Sequence, residues 1–153
     1  MREILFRGKR KDNGEWVEGY YIQKQNPHTV DGLPISHLIF DVYPFCRDVD
    51  PDTVGEYTGL TDKNGTMIFE GDILRGWDTY QDEYCIAGTV MYGEGQFDSD
   101  IYKYQGWYLR SGEDRRDDIS QEAIEFFGYE VAGNVHDNPE LLESGLTEEG
   151  PDR

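Results

Sequence analysis

The shortage of alanine is the sequence feature that most constrains the fold. The 153 residues include only three alanines, against 11 Tyr, 7 Phe, 3 Trp and 18 Gly. Alanine is the strongest helix former, whereas aromatic residues favour pleated strands and glycine favours tight turns. The composition therefore excludes a helical bundle and predicts a mainly β, β-rich α+β fold. We expect small antiparallel sheets or a partly open barrel, with one short C-terminal helix.

The length lies within the usual range of a single domain. We expect one β-rich domain over residues 1–146, and a subdivision near residues 57–60 stays open. The last residues, 147–153, are polar and contain Gly150 and Pro151. Terminal segments of this composition are usually poorly ordered, so we expect a disordered tail there.

The charge is strongly acidic, with 32 Asp and Glu against 14 Lys and Arg. A net charge of −18 argues against direct binding of nucleic acids and of anionic membranes, because both need a basic surface. Residues 1–11 nevertheless carry +4, so the rest of the chain carries −22. Two interpretations of this basic patch stay open. It pairs with acidic residues of the protein or of a neighbouring subunit, or it contacts a phosphate or an acidic partner.

Three features indicate a location in the cytoplasm. No stretch approaches the roughly 18 consecutive apolar residues that span a bilayer. The residues after Met1 have no apolar core of a signal peptide. Cys46 and Cys85, 39 residues apart, form neither a disulfide framework nor a metal-binding pair, and we expect ordinary reduced thiols.

Turn signals divide the chain into short strands. A turn at 11–14 predicts an N-terminal hairpin, and Asn64-Gly65 is typical of a two-residue type I′ turn. Glycines at 93–95 predict a turn after a long strand at 84–92. A single short helix is predicted between Ser120, its N-cap, and Gly128, which can close it in the left-handed conformation.

Motifs for catalysis or metal binding are missing from the sequence. The acidic run that starts at Asp48 begins like a calcium-binding loop, but its sixth position is Thr53 and its twelfth is Gly59, where Gly and Glu are required. The three histidines, His28, His37 and His136, are isolated. We therefore predict no metal and no other cofactor, we identify no catalytic residue, and we favour a protein that is not an enzyme.

Large aromatic side chains exceed what a modest core can bury. Tyr and Trp are enriched at protein interfaces, so oligomerisation would bury the excess. We predict a homo-oligomer, and the candidate interface residues are Trp16, Tyr20, Trp77 and Trp107.

The segment from Tyr57 to Leu74, YTGLTDKNGTMIFEGDIL, resembles the signature of the YopX family of phage and prophage proteins. Two further segments, Phe6-Arg7-Gly8 and the run 133–142, are similar to the family's beginning and ending. The resemblance implies a small, soluble, β-rich protein without an established activity. The motif residues to which we assign a structural role are Tyr57, Gly59, Asp62, Asn64, Gly65, Gly71, Asp72, Gly133, Asn134, Asn138 and Pro139.

One pair of motif residues carries a specific structural prediction. Gly71-Asp72 interrupts the apolar run, which predicts a corner where the chain changes sheet. We expect the Asp72 carboxylate to accept backbone N–H groups at this corner.

These observations favour a non-enzymatic accessory protein of phage or prophage origin that acts through protein–protein contacts or self-assembly, with a protein partner that the sequence does not identify. Two alternatives stay open. The first is an acidic decoy that imitates DNA and binds a host nuclease or repressor. The second is a metal-dependent hydrolase.

Overall fold

The computed structural model describes residues 1–25, 35–42, 45–96, 103–112 and 115–147. It confirms the predicted fold class, because the chain is mostly β, with two antiparallel sheets that are not closed into a barrel and with few helices. The chain divides into two compact units, Met1–Tyr57 and Thr58–Arg153.

The first unit is an antiparallel sheet. Strands β1 to β4 come first in the chain, and a 3-10 turn joins them to β5, which continues into the second unit. In the sheet these five strands are arranged in the order β4-β3-β2-β1-β5. The bounds are β1 Phe6–Lys9, β2 Trp16–Gln25, β3 Ile35–Val42, β4 Phe45–Asp48, the 3-10 turn Pro51–Thr53 and β5 Gly55–Thr61.

The core of the first unit lies on one face of this sheet. Ile39 and Val49 are fully buried. A Cβ atom added at Gly8 would lie 3.2 Å from both of these side chains, so β1 passes close to them because it has no side chain there. The Lys9 backbone N–H donates to Thr53 Oγ1 at 2.8 Å and ties β1 to the 3-10 turn.

The second unit contains the remaining strands and both helices. A five-stranded antiparallel sheet has the order β10-β9-β8-β7-β11. The bounds are β6 Met67–Phe69, β7 Asp72–Asp78, β8 Glu83–Gln96, β9 Lys103–Ser111, β10 Arg115–Asp118, α1 Gln121–Phe127, β11 Glu130–Asn134 and α2 Glu140–Thr147. One cluster of buried side chains forms its core: Ile68, Leu74, Val90, Leu109, Ile119 and Ile124.

The predicted helix is confirmed as α1. Ser120 accepts a hydrogen bond from the Ala123 N–H at 3.1 Å, and Gly128 closes the helix with φ = 62°. A second helix, α2, spans Glu140–Thr147, so that Thr147, the first residue of the predicted tail, is helical. The rest of the predicted tail, 148–153, lies outside the described residues.

The turn predicted at residues 93–95 is wrong. Strand β8 continues through these glycines to Gln96, with Gly93 opposite Gly106 and Gly95 opposite Tyr104 of β9. Strand β9 offers backbone partners along this whole stretch, so the glycines are held in a ladder instead of forming a turn. Phe97, where the predicted turn would have led, lies outside the described residues.

Candidate functional site

The signature turn at Asp62–Gly65 is built around one buried carboxylate. Asp62 is 5% exposed, and its Oδ1 accepts the N–H groups of Asn64 at 2.8 Å and Thr66 at 2.9 Å. Its Oδ2 accepts the Val131 N–H of β11 at 2.9 Å. Asp62 therefore both shapes the turn and attaches it to a strand 69 residues away in sequence.

The predicted type I′ geometry of this turn is wrong. Type I′ requires positive φ at both central residues, but of Asn64 and Gly65 only Gly65 has it, at 80°. The Gly65 N–H donates to the Asp62 carbonyl at 3.0 Å, and the Asp62 N–H donates to the Thr66 carbonyl at 2.8 Å. The Asp62 carboxylate fixes this longer loop, which needs glycine at one position only.

Glu130 is a second buried carboxylate that binds the signature turn. Glu130 is 8% exposed. Its carboxylate accepts hydrogen bonds from Arg75 Nε at 2.6 Å and from Asn64 Nδ2 at 3.1 Å. Lys63 Nζ lies 3.3 Å from the same carboxylate. The hydrogen bond from Arg75 is the main cause that lowers the pKa of Glu130, those from Asn64 and Lys63 act in the same direction, and burial opposes them. Sequence reasoning missed Glu130, since no local pattern marks it.

The corner at Gly71–Asp72 forms as predicted. The chain passes from β6, which pairs with β5 as the last strand of that sheet, to β7 of the five-stranded sheet. Gly71 at this corner has φ = 87°. Gly71 donates its N–H to the Val90 carbonyl and accepts the Val135 N–H, both at 2.9 Å. Asp72 is 1% exposed, and its Oδ2 accepts the Phe69 N–H at 2.8 Å.

The third motif segment is a side-chain-supported turn before α2. Asn134 Oδ1 accepts the N–H groups of His136 at 3.0 Å and Asp137 at 2.9 Å. Asn138 Oδ1 accepts the Asn134 N–H at 3.3 Å. Gly133 is needed because a Cβ atom there would collide with the Asn138 side chain.

Three motif residues remain. Pro139 is exposed and precedes α2, and Gly59 has φ = 82° within β5. Tyr57 is 8% exposed and lies in the first unit, where its N–H donates to the Leu5 carbonyl at 2.8 Å. Most of the motif residues therefore lie in turns or at the Gly71–Asp72 corner, whereas Tyr57 and Gly59 lie in β5.

Two of the four candidate interface residues are engaged inside the protein. Trp16 is half-buried, with Arg7 4.8 Å and Lys9 5.7 Å above its ring. Trp107 is half-buried, packs against the core cluster and meets Tyr92 edge-on at 5.0 Å between ring centroids. The other two are exposed, Tyr20 at 71% and Trp77 at 48%.

The basic patch at residues 1–11 forms ion pairs within the first unit. Arg2 pairs with Glu56 at 3.1 Å, Arg10 with Asp12 at 2.5 Å and Lys11 with Asp48 at 3.8 Å. Together with the two cations over Trp16, all five basic residues of the patch have internal contacts.

Tyr20 belongs to an apolar face of the first unit. Strand register places Tyr20 opposite Phe40 and Ile22 opposite Leu38, and Phe40 lies opposite Cys46 of β4. Directly opposed residues share a face, so these five side chains form one surface, which we call the apolar sheet face. Tyr20, Ile22 and Cys46 are exposed, whereas Leu38 and Phe40 are half-buried.

Trp77 borders a groove in the second unit. The groove has a volume of about 270 Å³, and its aromatic lining, which gives the name aromatic groove, consists of Trp77, Tyr80, Phe127 and Tyr129. The rings of Phe127 and Tyr129 stack with centroids 5.3 Å apart. Tyr80 is 99% exposed at the tip of the β7–β8 hairpin.

Over the described ranges the structure shows no group of three or more His, Cys, Asp or Glu side chains placed to hold a metal ion. His28 and the acidic residues at 98–100 lie outside those ranges. No helix in the described ranges is both long enough and apolar enough to cross a membrane.

The two antiparallel sheets, with the buried carboxylates of Asp62 and Asp72 at a turn and a corner, define a small, β-rich class of protein. A family model described as "YopX protein" matches residues 5–143, and the chain belongs to the YopX family. The fold is similar to the crystal structure of protein EF1440 from Enterococcus faecalis, with a TM-score of 0.50 and 25% identity over 93% of this chain and 99% of that chain. A comparison with curated proteins finds no match.

Proposed function

We propose that this YopX protein is a non-enzymatic accessory protein of a phage or prophage that acts through protein–protein contacts, and that it self-associates through the apolar sheet face. The observation that carries the proposal is the exposure of Tyr20 and Ile22 beside Leu38 and Phe40 on one continuous face. Contiguous apolar surface of this kind marks interaction sites.

The distribution of charge favours a second copy as the occupant of this face. The first unit has seven basic and ten acidic residues, for a net −3, whereas the second has seven basic and 22 acidic residues, for a net −15. Two copies that meet through their first units avoid most like-charge repulsion, since this grows with the product of the net charges. The ion pair of Lys11 with Asp48, opposite Leu38 on β4, supplies a polar rim.

The test is the molar mass in solution, measured by light scattering across micromolar concentrations. We expect the wild type to dimerise and Ile22→Glu to be monomeric, because the new charge would be desolvated in the interface. Gln25→Glu is the matched control, since it adds the same charge to β2 on the other face and should leave the dimer intact. A monomeric wild type, or equal masses for the two variants, would overturn the proposal.

The alternative of an acidic DNA mimic is favoured by one observation, the net charge of −15 on the second unit. It requires carboxylates that match the spacing of DNA phosphates. The measurement is competition, in which the protein at low salt should release DNA from a nuclease or repressor of the host and should fail to do so at high salt. DNA that stays bound at both salt concentrations would remove this alternative.

A further inference from the structure

The aromatic groove has the size of a site for one large side chain. Its volume of about 270 Å³ lies below the roughly 300–1,000 Å³ of typical small-molecule pockets. Glycine at position 76 makes it possible, because a Cβ there would lie 3.0 Å from the Tyr129 ring. The walls are therefore preformed by the backbone of β7 and by the rings of Phe127 at the end of α1 and of Tyr129.

Carboxylates border the groove at the turn of the β7–β8 hairpin. Asp78 lines it, Glu83 is the cross-strand partner of Asp78, and Asp82 lies in the turn between them. Asp78 Oδ1 accepts the N–H groups of Tyr80 at 2.8 Å and Gln81 at 3.3 Å, which leaves its Oδ2 without a partner among the described residues. Neither Asp82 nor Glu83 forms an ion pair with any Lys or Arg that the structure describes.

The same hairpin already holds cations against an aromatic ring. Lys63 Nζ lies 4.8 Å and the Arg75 guanidinium 4.7 Å from the centre of the Tyr84 ring. Tyr84 in turn meets Trp77 edge-on, with centroids 5.0 Å apart. Exposed aromatic faces beside unpaired carboxylates attract cations by the same physics, since the ring face and the carboxylate are both negative.

We propose that the aromatic groove binds an extended, positively charged segment of a partner protein, in which an arginine or lysine enters between the aromatic rings and an adjacent apolar side chain covers Tyr80. The charge of −15 on this unit attracts such a segment from a distance, and Asp78 receives its cation. The site is independent of self-association, which uses the other unit.

The test is fluorescence anisotropy with the labelled pentapeptide Gly-Phe-Arg-Leu-Gly. The comparison peptide has citrulline in place of arginine, which keeps the shape and removes the charge. We expect the arginine peptide to bind at least fivefold more tightly and to lose affinity as salt is added. Equal binding of the two peptides, or no binding of either, would overturn the proposal.

Three single substitutions test whether the peptide binds in the aromatic groove. Trp77→Ala should weaken the arginine peptide about 5- to 10-fold through loss of a cation–π contact. Asp78→Asn should also weaken it while keeping the turn, because the amide oxygen can still accept from Tyr80. Tyr92→Ala is the matched control, an aromatic that is 50% exposed on β8 and does not line the groove. A loss for Tyr92→Ala equal to that for Trp77→Ala would contradict the assigned site.

The experiment separates this site from the proposed dimer interface. The Ile22→Glu variant should bind the arginine peptide as tightly as the wild type, whatever its molar mass. Weaker binding by Ile22→Glu would contradict a site confined to the second unit.

Discussion

Replacement of Asp62 tests whether one carboxylate holds the signature turn to β11. Asp62→Ala removes the acceptor of three backbone N–H groups, those of Asn64, Thr66 and Val131. Asn64 and Thr66 are exposed, so water can replace the carboxylate there, whereas Val131 is half-buried. Asp62→Asn keeps an oxygen for the two turn amides but can place its NH₂ group against the Val131 N–H.

The magnitudes follow from these partners. An unsatisfied buried N–H costs about 1–3 kcal/mol, and each hydrogen bond exchanged for water costs about 0.5–1 kcal/mol. Asp62→Ala should therefore lower the free energy of unfolding by about 2–5 kcal/mol, and Asp62→Asn by about 1–3 kcal/mol. Both are large against the roughly 5–15 kcal/mol of a typical native protein.

The assay is urea unfolding followed by tryptophan fluorescence, together with hydrogen exchange of the Val131 amide. We expect exchange at Val131 to accelerate in both variants. The control is Asp12→Asn, whose carboxylate is exposed and paired with Arg10, and it should leave both measurements unchanged. The reasoning is refuted if Asp62→Asn unfolds like the wild type and its Val131 amide stays as protected.

Three further changes test other parts of the structure. Because the pKa of Glu130 is lowered in the folded protein, chiefly by Arg75, its contribution to stability is complete above the ordinary value near 4.5 and is lost as the pH falls through the lowered pKa. Glu130→Gln should therefore lower the Tm at neutral pH and flatten its decline in acid, and parallel curves of Tm against pH would contradict this. Gly133→Ala should cost about 1–3 kcal/mol in urea unfolding, because its Cβ displaces the Asn138 side chain, and unchanged stability would show that this contact yields freely. Ser120→Ala should cost about 1 kcal/mol by loss of the N-cap of α1, whereas Ser120→Asp should restore it; equal unfolding of the two variants would argue against a capping role.

Strand pairing was only partly predictable from the sequence. Strands β4 and β10 are four residues each, and β10 reads Arg-Arg-Asp-Asp without any alternation of apolar residues. Both form because a neighbouring strand offers backbone partners, Ile39 to Arg47 for β4 and Leu109 to Asp117 for β10. These partners are distant in sequence and are set by the tertiary fold, because a short charged segment carries no local signal for a strand.

The candidate surfaces were likewise only partly predictable. The number of aromatic residues indicates an excess over the core, but it cannot say which rings stay outside. Trp16 is covered by two cations of β1, whereas Trp77 is exposed beside the groove that Gly76 opens. These outcomes depend on which residues the strand register places next to each ring.

By itself the sequence determined the mainly β fold, the limits of α1 and the corner at Gly71–Asp72. In each of these cases the interacting groups are a few residues apart, as in the bond from the Phe69 N–H to Asp72, or they follow from composition. Only the tertiary structure decided that Asp62 accepts a hydrogen bond from the Val131 N–H and that Glu130 forms ion pairs with Arg75 and Lys63. The same is true of the aromatic groove. These contacts join residues far apart in the chain, and their geometry exists only once the strands have paired.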